Sequence, residues 1–284
     1  MNSYQETMYL LKKYHLTASK KLGQNFLIDD EVIAGIVDAA QITKEDLVIE
    51  IGPGLGTLTQ CLLEKAKKVI AIELDTRMIT ILQDRFKLYS NFTVIEQDIL
   101  KVNLQKLIEQ ENCLSVKIVA NLPYYITTPI VMKLLEDKLP VASITIMVQK
   151  EVAQRLTAKT GERLSGSITY AIDYYSKARN ILTVPSKSFI PEPKVDSQVI
   201  QLQIRDNPCV KVKDEKLFFE MIQLAFMQRR KTFLNAVSQK IEKTTMQKIL
   251  QNLHIDENIR GENLTIEQFA EITNQIFEKN VASQ

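Results

Sequence analysis

Short apolar runs alternate with longer amphipathic segments along most of this chain. Leu47–Ile51 and Val69–Glu73 are runs of aliphatic and β-branched residues with the length of a buried strand. Helical spacing follows each run, as seen in Leu58–Lys65 after the first and in Met78, Leu82 and Phe86 after the second. Strands that alternate with helices predict a parallel sheet covered by helices on both faces.

Further runs of the same character extend this sheet: Phe92–Asp98, Val116–Ala120 and Ile144–Val148. Two later strands, near Arg179–Val184 and Val195–Ile204, are joined by a proline-rich loop without a helix, so we expect them to pair antiparallel. The predicted fold class is therefore α/β, with a mostly parallel, Rossmann-like sheet that ends in an antiparallel hairpin.

The pattern becomes helical after Asn207-Pro208, and helical segments continue from Glu215 to Asn274. We therefore expect a domain boundary near residue 207. The first domain is predicted to span residues 1–207, with residues 1–20 as an N-terminal extension. The second, a small all-α domain, is predicted to span residues 208–284.

Composition excludes several kinds of site and narrows the class of protein. The 284 residues are 45% hydrophobic and 25% charged, which is typical of a globular domain that is soluble in water. The three cysteines are far apart and form no CxxC pair, which argues against a disulfide framework or a zinc site. No run suits a signal peptide or a membrane span, so we expect a cytoplasmic protein. The net charge of +2 means that any contact with nucleic acid must come from local basic patches.

A glycine-rich turn follows the first predicted strand and precedes the first helix of the sheet, in the segment Glu50–Gly56. Glycines there allow a tight turn and let a ligand approach the main chain closely. The spacing is GxGxG, whereas the dinucleotide fingerprint is GxGxxG. The second strand ends in Glu73, whose carboxylate is suitably placed to bind both ribose hydroxyls. That feature is shared by sites for NAD and for S-adenosylmethionine, and it leaves both open.

Polar residues also follow the third and fourth strands. Asp98 could accept a hydrogen bond from an adenine amino group, or it could cap the helix that starts at Ile99. Asn121-Leu122-Pro123-Tyr124 could bind a planar heterocycle, with the Asn amide oxygen accepting from an amine and the Tyr ring stacking on the base. The alternative for this tetrapeptide is a simple turn. Since the carboxyl ends of parallel strands share one edge, the sequence predicts a nucleoside-binding crevice there.

Taken together, these motifs resemble the class I S-adenosylmethionine-dependent methyltransferases that act on adenine amino groups. Gly23–Leu27 and Ser188–Ser197 are similar to segments of the ribosomal RNA adenine dimethyltransferase family, which includes the KsgA/RsmA and Erm types. Ala225–Thr232 resembles the C-terminal domain of the KsgA/RsmA type rather than that of Erm. The resemblance runs from about Lys20 to the C-terminus, and the loop Lys159–Gly166 departs from the family pattern.

The resemblance implies a role for each matching residue. The residues expected to bind the S-adenosylmethionine cofactor are Asn25 and Leu27 at its methionine moiety, Gly52 and Gly54 beneath it, Glu73 at the ribose, Asp98 at the adenine, and Asn121. The residues expected to act on the target adenine are Asn121, through its amide oxygen, and Tyr124 and Phe189, through stacking. No metal is expected.

Contacts with RNA are expected from a basic cluster in the second domain, formed by Arg229, Arg230 and Lys231. Lys20-Lys21, just before the cofactor motif, is a second basic candidate. Phosphate contacts of this kind position RNA without reading its sequence. Two further aromatic residues, Tyr125 and Tyr174, are predicted to lie in the core rather than to stack on bases.

The resemblance implies N6,N6-dimethylation of two adjacent adenines near the 3′ end of 16S ribosomal RNA, within an assembling 30S particle, by a monomeric enzyme. Three alternatives remain open at this point. They are an Erm-type methyltransferase of 23S ribosomal RNA, an NAD-dependent oxidoreductase, and a non-catalytic ribosome assembly factor. The glycine spacing and the lack of a hydride-handling His or Tyr-Lys pair count against the oxidoreductase.

Overall fold

The computed structural model describes residues 1–19, 22–111 and 113–282. The chain forms two compact units, the first of Met1–Ala153 and Ala178–Ile204 and the second of Gln154–Lys177 and Arg205–Gln284. Lys20-Lys21, the second basic candidate, lies outside the described residues.

The strands, numbered in chain order, are β1 (Phe26–Leu27), β2 (Asp46–Ile51), β3 (Lys68–Glu73), β4 (Phe92–Glu96), β5 (Ser115–Asn121), β6 (Ser143–Gln149), β7 (Ser176–Val184), β8 (Phe189–Ile190) and β9 (Ser197–Ile204). The helices that precede residue 157 are α1 (Ser3–Lys13), α2 (Asp30–Ala40), α3 (Thr57–Lys65), α4 (Thr76–Phe86), α5 (Leu104–Glu109), α6 (Thr127–Glu136) and α7 (Lys150–Leu156).

Within the described residues, the central sheet has seven strands in the order β4-β3-β2-β5-β6-β9-β7. Strands β4, β3, β2, β5 and β6 pair in parallel, and β9 pairs antiparallel with β6. Between β7 and β9, Arg179 donates to Gln201 and Thr183 donates to Gln198. The residue numbers rise along β7 while those of the partners on β9 fall, as expected for antiparallel strands. The predicted α/β fold with a terminal antiparallel hairpin is confirmed.

The middle strand shows why the apolar runs form a sheet with two covered faces. Leu47, Val48 and Ile49 are consecutive and all fully buried, although their side chains alternate between the two faces. On one face, helices α2 and α3 contribute Ile36 and Leu62 to the core cluster that contains Val48. A run without alternation is typical of a strand buried on both sides.

A short antiparallel pair, β1 with β8, lies outside the central sheet. Phe26 pairs with Ile190 and Leu27 pairs with Phe189, so two segments that are far apart in sequence meet here. The sequence does not predict this pair, because a two-residue strand carries no periodicity.

The second unit contains the helices α8 (Ser167–Tyr175), α9 (Glu215–Met227), α10 (Phe233–Ala236), α11 (Lys243–Asn252) and α12 (Ile266–Ala282). Phe218, Phe233 and Phe269 are fully buried and form its core together with Tyr170 of α8. The second unit therefore includes residues 154–177, which the predicted boundary near residue 207 had assigned to the first domain. The physical reason is that Tyr170 and Tyr174 pack among the helices that follow residue 205.

None of the described helices is both long and apolar enough to cross a bilayer. Across the same residues, His, Cys, Asp and Glu side chains form no group of three that could hold a metal ion.

Candidate active site

The carboxyl ends of four neighbouring strands bring the predicted site residues into one row. In the sheet order, Asp98 follows β4, Glu73 ends β3, the glycine loop follows β2, and Asn121 ends β5. These residues line one cleft of the first unit, with about 1140 Å³ of open space. An edge crevice of this kind is where open α/β sheets bind ligands.

The glycine loop between β2 and α3 has left-handed backbone at Gly52, Gly54 and Gly56, with φ of 68°, 56° and 82°. At Gly56, an added Cβ would lie 2.7 Å from the Phe86 ring, so the residue is required by close packing as well as by φ. Gly54 donates its backbone N–H to the Glu73 carboxylate at 3.2 Å. The loop therefore turns tightly above the strand ends and leaves its main chain facing the cleft.

Arg85, which does not line the cleft, supports the same loop through Leu55. Its guanidinium donates to the backbone oxygen of Leu55, to Glu6 of α1 at 2.7 Å, and to Gln60 at 3.1 Å. The side chain is largely buried, and burial is the main reason that the pKa of Arg85 is lowered. The N-terminal helix is thus tied to the loop through one arginine.

The Glu73 carboxylate is only 8% exposed, and its oxygens face both the loop and the cleft. One oxygen accepts from the backbone N–H of Leu74 at 2.8 Å and of Asp75 at 2.9 Å, and the other accepts from Gly54. Burial raises the pKa of this carboxyl, and the three N–H donors act in the opposite direction. Three of the roughly four acceptor positions of the carboxylate are filled in this way, which leaves about one, on the oxygen that accepts from Gly54, for a ribose hydroxyl.

Asp98 caps a short helix, and its predicted contact with the cofactor adenine stays a prediction. Its Oδ1 accepts from the backbone N–H of Leu100 at 3.0 Å and so caps the short 3₁₀ helix Ile99–Lys101. The residue also lines the cleft. Because a carboxylate has two oxygens, capping with Oδ1 leaves Oδ2 able to accept from a ligand amine.

Asn121 is oriented by the segment that contains Asn25. Its Nδ2 donates to the backbone oxygen of Asn25 at 3.3 Å, which leaves Oδ1 as the acceptor of the amide. The backbone oxygens of the next two residues, Leu122 and Pro123, differ in whether they already accept a hydrogen bond. Pro123 O already accepts from Ile126 N–H and from the Thr127 hydroxyl, both at 3.2 Å, whereas no bond to Leu122 O occurs among the described residues. Asn121 Oδ1 and Leu122 O are therefore the two acceptors that a ligand amine could use.

Tyr124 stands beside these acceptors with its ring in the lining of the cleft. Its hydroxyl shares a 2.7 Å hydrogen bond with the Ser197 hydroxyl. Burial raises the pKa of Tyr124, and the bond to Ser197 opposes this only in part. The phenol is therefore protonated at neutral pH and cannot act as a base.

The Gly23–Leu27 segment lines the cleft beside the glycine loop, since an added Cβ at Gly54 would lie 3.4 Å from the Phe26 ring. Asn25 and Leu27 both line the cleft, as the resemblance implies, and β1 is held in place by β8. Gln24, which the sequence analysis did not assign, anchors this segment by donating to Asp75 at 2.9 Å.

Phe189 does not reach the cleft in this structure. Its side chain is 2% exposed and packs in the core cluster with Leu27 and Met147. The stacking role predicted for Phe189 therefore has no exposed ring face to support it. The residue instead holds β8 against β1, since Phe189 is the register partner of Leu27.

The basic cluster of the second unit separates into two kinds of residue. Arg229 is engaged internally, because its guanidinium pairs with Glu262 at 2.7 Å and donates to the backbone oxygens of Arg163 and Ser165. Arg230 and Lys231 are exposed. Arg229 is exposed as well, but its guanidinium is already engaged, so the phosphate contact predicted for Arg229 is not supported by its geometry.

Two residues of the cleft, Tyr125 and Glu50, are not predicted from the sequence. Tyr125, predicted to lie in the core, is 60% exposed and lines the cleft mouth, so that prediction is wrong. Tyr174, the other such residue, is buried in the core of the second unit. Glu50 lies at the start of the glycine-rich segment and has no predicted role, although it is 1% exposed and lines the cleft.

Burial raises the pKa of the Glu50 carboxyl to about 8, with a smaller contribution from the nearby Glu73 charge and only partial relief from Thr59. The folded protein therefore holds this proton at pH values where an unfolded chain has lost it. The protonated Glu50 carboxyl stabilises the fold fully below pH 4.5, the pKa of the group in the unfolded chain. This stabilisation is lost as the pH rises towards about 8, the pKa of the group in the folded protein.

We expect Glu50→Gln to flatten this pH dependence, because glutamine cannot ionise. Between pH 5 and 8, the free energy of unfolding of the wild type should fall relative to that of the variant, by at most about 1.4 kcal/mol per pH unit. Denaturant unfolding of both proteins over this range measures the difference. Parallel curves would show that Glu50 does not titrate there.

Comparisons with known proteins agree with this geometry. The family model described as Ribosomal RNA adenine dimethylase matches residues 15–278. A curated relative, Ribosomal RNA small subunit methyltransferase A of Alkaliphilus oremlandii, is 47% identical over 283 residues, covering 98% of this chain and 99% of the relative.

Solved structures show the same architecture. A dimethyladenosine transferase from Plasmodium falciparum has a TM-score of 0.78 at 26% identity, covering 90% of this chain and 98% of that one. The 23S rRNA methyltransferase ErmE has a TM-score of 0.68 at 24% identity, covering 89% of this chain and 100% of that one, and this likeness concerns the fold alone. The resemblance drawn from the motifs is confirmed: the chain belongs to the ribosomal RNA adenine dimethylase family.

Proposed function

We propose that this protein transfers methyl groups from S-adenosylmethionine to the N6 amino group of adenine in small-subunit ribosomal RNA. The observation that carries the proposal is the pair of acceptors, Asn121 Oδ1 and Leu122 O, beside the Tyr124 ring at one end of the cofactor cleft. The product is N6,N6-dimethyladenine at two adjacent adenines near the 3′ end of 16S RNA. The enzyme acts as a cytoplasmic monomer on an assembling 30S particle.

The cleft residues fit the methyl donor that the family implies. Glu50 Oε2 is buried without a hydrogen-bond partner among the described residues, and it offers an acceptor for the cationic amino group of a methionine moiety. The Glu73 carboxylate suits a ribose diol, and Asp98 suits an adenine amine. When bound, S-adenosylmethionine supplies an electrophilic methyl group on a positively charged sulfur.

Asn121 and Leu122 would prepare the target amine. The adenine amino nitrogen is a poor nucleophile, because its lone pair is delocalised into the ring. Two acceptors that bind its N–H groups favour a tetrahedral nitrogen whose lone pair is free to attack. Since Asn121 is fixed through Asn25, this geometry exists before the base arrives, and positioning supplies much of the acceleration.

Tyr124 would hold the base rather than move a proton. Its ring offers a stacking face, and its hydroxyl is engaged with Ser197. No general base is required before transfer, since the amine becomes acidic only once it is methylated. The proton then leaves to solvent.

RNA binding by the second unit gives a prediction that separates two neighbouring arginines. We expect Arg230→Ala and Lys231→Ala to weaken binding of the small-subunit particle and to reduce the slope of log affinity against log salt by roughly 1 each. Arg229→Ala should instead lower the free energy of unfolding by up to about 1 kcal/mol, because it removes a charged but partly exposed donor from Glu262 and two carbonyls. Salt-dependent binding and denaturant unfolding measure the two effects. A salt slope that changes for Arg229→Ala alone would reverse the assignment.

The function itself is tested by transfer of label from methyl-labelled cofactor to ribosomal particles. We expect label in the RNA of 30S particles that lack the modification, in N6,N6-dimethyladenine, and none in 50S particles. Label in 50S particles would favour the Erm-type alternative. Binding of 30S particles without label transfer would favour the non-catalytic assembly factor.

The oxidoreductase alternative is tested by ligand binding. S-adenosylmethionine should raise the melting temperature of the protein, and NAD should leave it unchanged. Stabilisation by NAD alone would overturn the proposal.

A further inference from the structure

The Tyr125 ring occupies the mouth of the cleft and has no role in the function proposed so far. It is 60% exposed, yet it lies on the same 3₁₀ helix, Tyr124–Ile126, as the half-buried Tyr124. An exposed aromatic ring on a cleft rim keeps an apolar face in water, so covering that face with a ligand is energetically favourable. The two tyrosines thus form an inner and an outer ring along one path into the cleft.

Gly23 holds the outer ring in place. An added Cβ at Gly23 would lie 3.3 Å from Cδ1 and 3.5 Å from Cε1 of Tyr125, so the ring packs directly on this glycine. Gly23 also has φ of 61°, which resists replacement by a larger residue. One part of the ring is therefore fixed against the chain while the rest faces solvent. A ring fixed in this way loses little conformational entropy when a ligand stacks on it.

The chemistry of the substrate suits such a ring. A single strand that places one base deep in the cleft leaves the next base without its stacking partner. Aromatic side chains at the surface replace that partner, and stacking accepts any base because every base has a π-face. Purine bases offer a larger stacking area than pyrimidine bases do.

We propose that Tyr125 forms an outer subsite that stacks on the purine base next to the target adenine. The subsite rests on the proposed function, in which two adjacent adenines are modified and each is the neighbour of the other. The occupant is an unpaired adenine of the substrate RNA. Tyr124 then holds the reacting base, and Tyr125 sets the register of the strand.

Transfer kinetics test the subsite with three variants. Tyr125→Ala should raise the KM for unmodified 30S particles about 5- to 150-fold, the factor that corresponds to about 1–3 kcal/mol for one stacked base. The Kd for S-adenosylmethionine should stay within about twofold of the wild-type value. Tyr125→Phe keeps the ring and should restore the KM. Tyr9→Ala, which removes an exposed tyrosine of α1 that does not line the cleft, is the matched control.

A binding measurement keeps this inference separate from the proposed function. Wild type should bind a single-stranded oligoribonucleotide with two adjacent adenines more tightly than one in which the neighbouring base is missing, and Tyr125→Ala should lose that difference. Equal discrimination by both proteins would overturn the subsite, as would a KM unchanged by Tyr125→Ala. A fall in cofactor affinity as large as the rise in KM would also overturn it, since the ring would then be a wall of the cofactor cleft. Failure of the wild type to label 30S particles would instead overturn the proposed function.

Discussion

Replacing Asn121 by alanine should lower kcat for methyl transfer by about 10²- to 10³-fold, the loss typical when one oriented polar group is removed from a reacting centre. The reason is that, in the proposed function, Oδ1 of Asn121 accepts from the target amine, while Nδ2 is engaged with Asn25. Leu122 O would remain and would hold the amine through a single hydrogen bond. Single-turnover transfer from labelled cofactor to 30S particles measures the chemical step.

Cofactor binding should change far less in the same variant. The bond from Nδ2 to the Asn25 carbonyl is a neutral hydrogen bond, worth about 0.5–1.5 kcal/mol, so the Kd should rise by no more than about tenfold. Calorimetric titration with S-adenosylmethionine measures it. Asn103→Ala, which removes the amide that caps α5 away from the cleft, is the control for losing an asparagine. Equal losses in kcat and in cofactor affinity would mean that Asn121 organises the cleft and does not act on the amine.

The row of polar groups at the sheet edge could be predicted because each group lies at or just after the end of a strand that the sequence marks as an apolar run. The side chains of Leu47, Val48 and Ile49 are buried on both faces of their strand. A sequence in which several such strands alternate with helices predicts a parallel sheet. Once the strands are parallel, their carboxyl ends share one edge. Glu73 and Asn121 therefore meet at that edge for reasons that are local to each strand.

Tyr125, Arg229 and Phe189 could not be placed in this way, because their surroundings come from distant parts of the chain. Tyr125 follows a strand end and lacks a helical or strand periodicity that would mark it as exposed. Arg229 finds Glu262 33 residues away, and two carbonyls more than 60 residues before it. Phe189 is buried through the pairing of β8 with β1, whose two strands are separated by most of the first unit. A family motif indicates which residues matter, and it does not indicate which face of a ring is covered.

Removal of the Glu73 carboxylate should weaken S-adenosylmethionine binding about 10- to 150-fold, which corresponds to about 1.5–3 kcal/mol for hydrogen bonds to a charged group. Glu73→Gln tests the charge while keeping the size of the side chain. Burial has raised the pKa of Glu73, and the three backbone N–H groups that bind its oxygens favour the ionised form. A glutamine has a single oxygen for those three donors and a nitrogen that can accept none of them.

The variant therefore has two consequences that can be measured apart. The loss of acceptors for the ribose diol lowers cofactor affinity directly, and loss of the Gly54 contact loosens the glycine loop. Calorimetric titration gives the first, and amide hydrogen exchange at Gly54, Leu74 and Asp75 in the free protein gives the second. We expect faster amide exchange at these three residues and a larger Kd for S-adenosylmethionine.

Glu96→Gln provides the matched control, because Glu96 ends the neighbouring strand β4 in register with Glu73 and does not line the cleft. Its carboxylate is exposed and accepts from the Thr76 hydroxyl at 3.3 Å. Loss of this charge should leave the cofactor Kd within about twofold, since an exposed carboxylate of this kind contributes little. An unchanged Kd for Glu73→Gln would make Glu73 a structural residue of the loop. The diol would then have to be held by other groups of the cleft, and the row of strand ends would lose its central member.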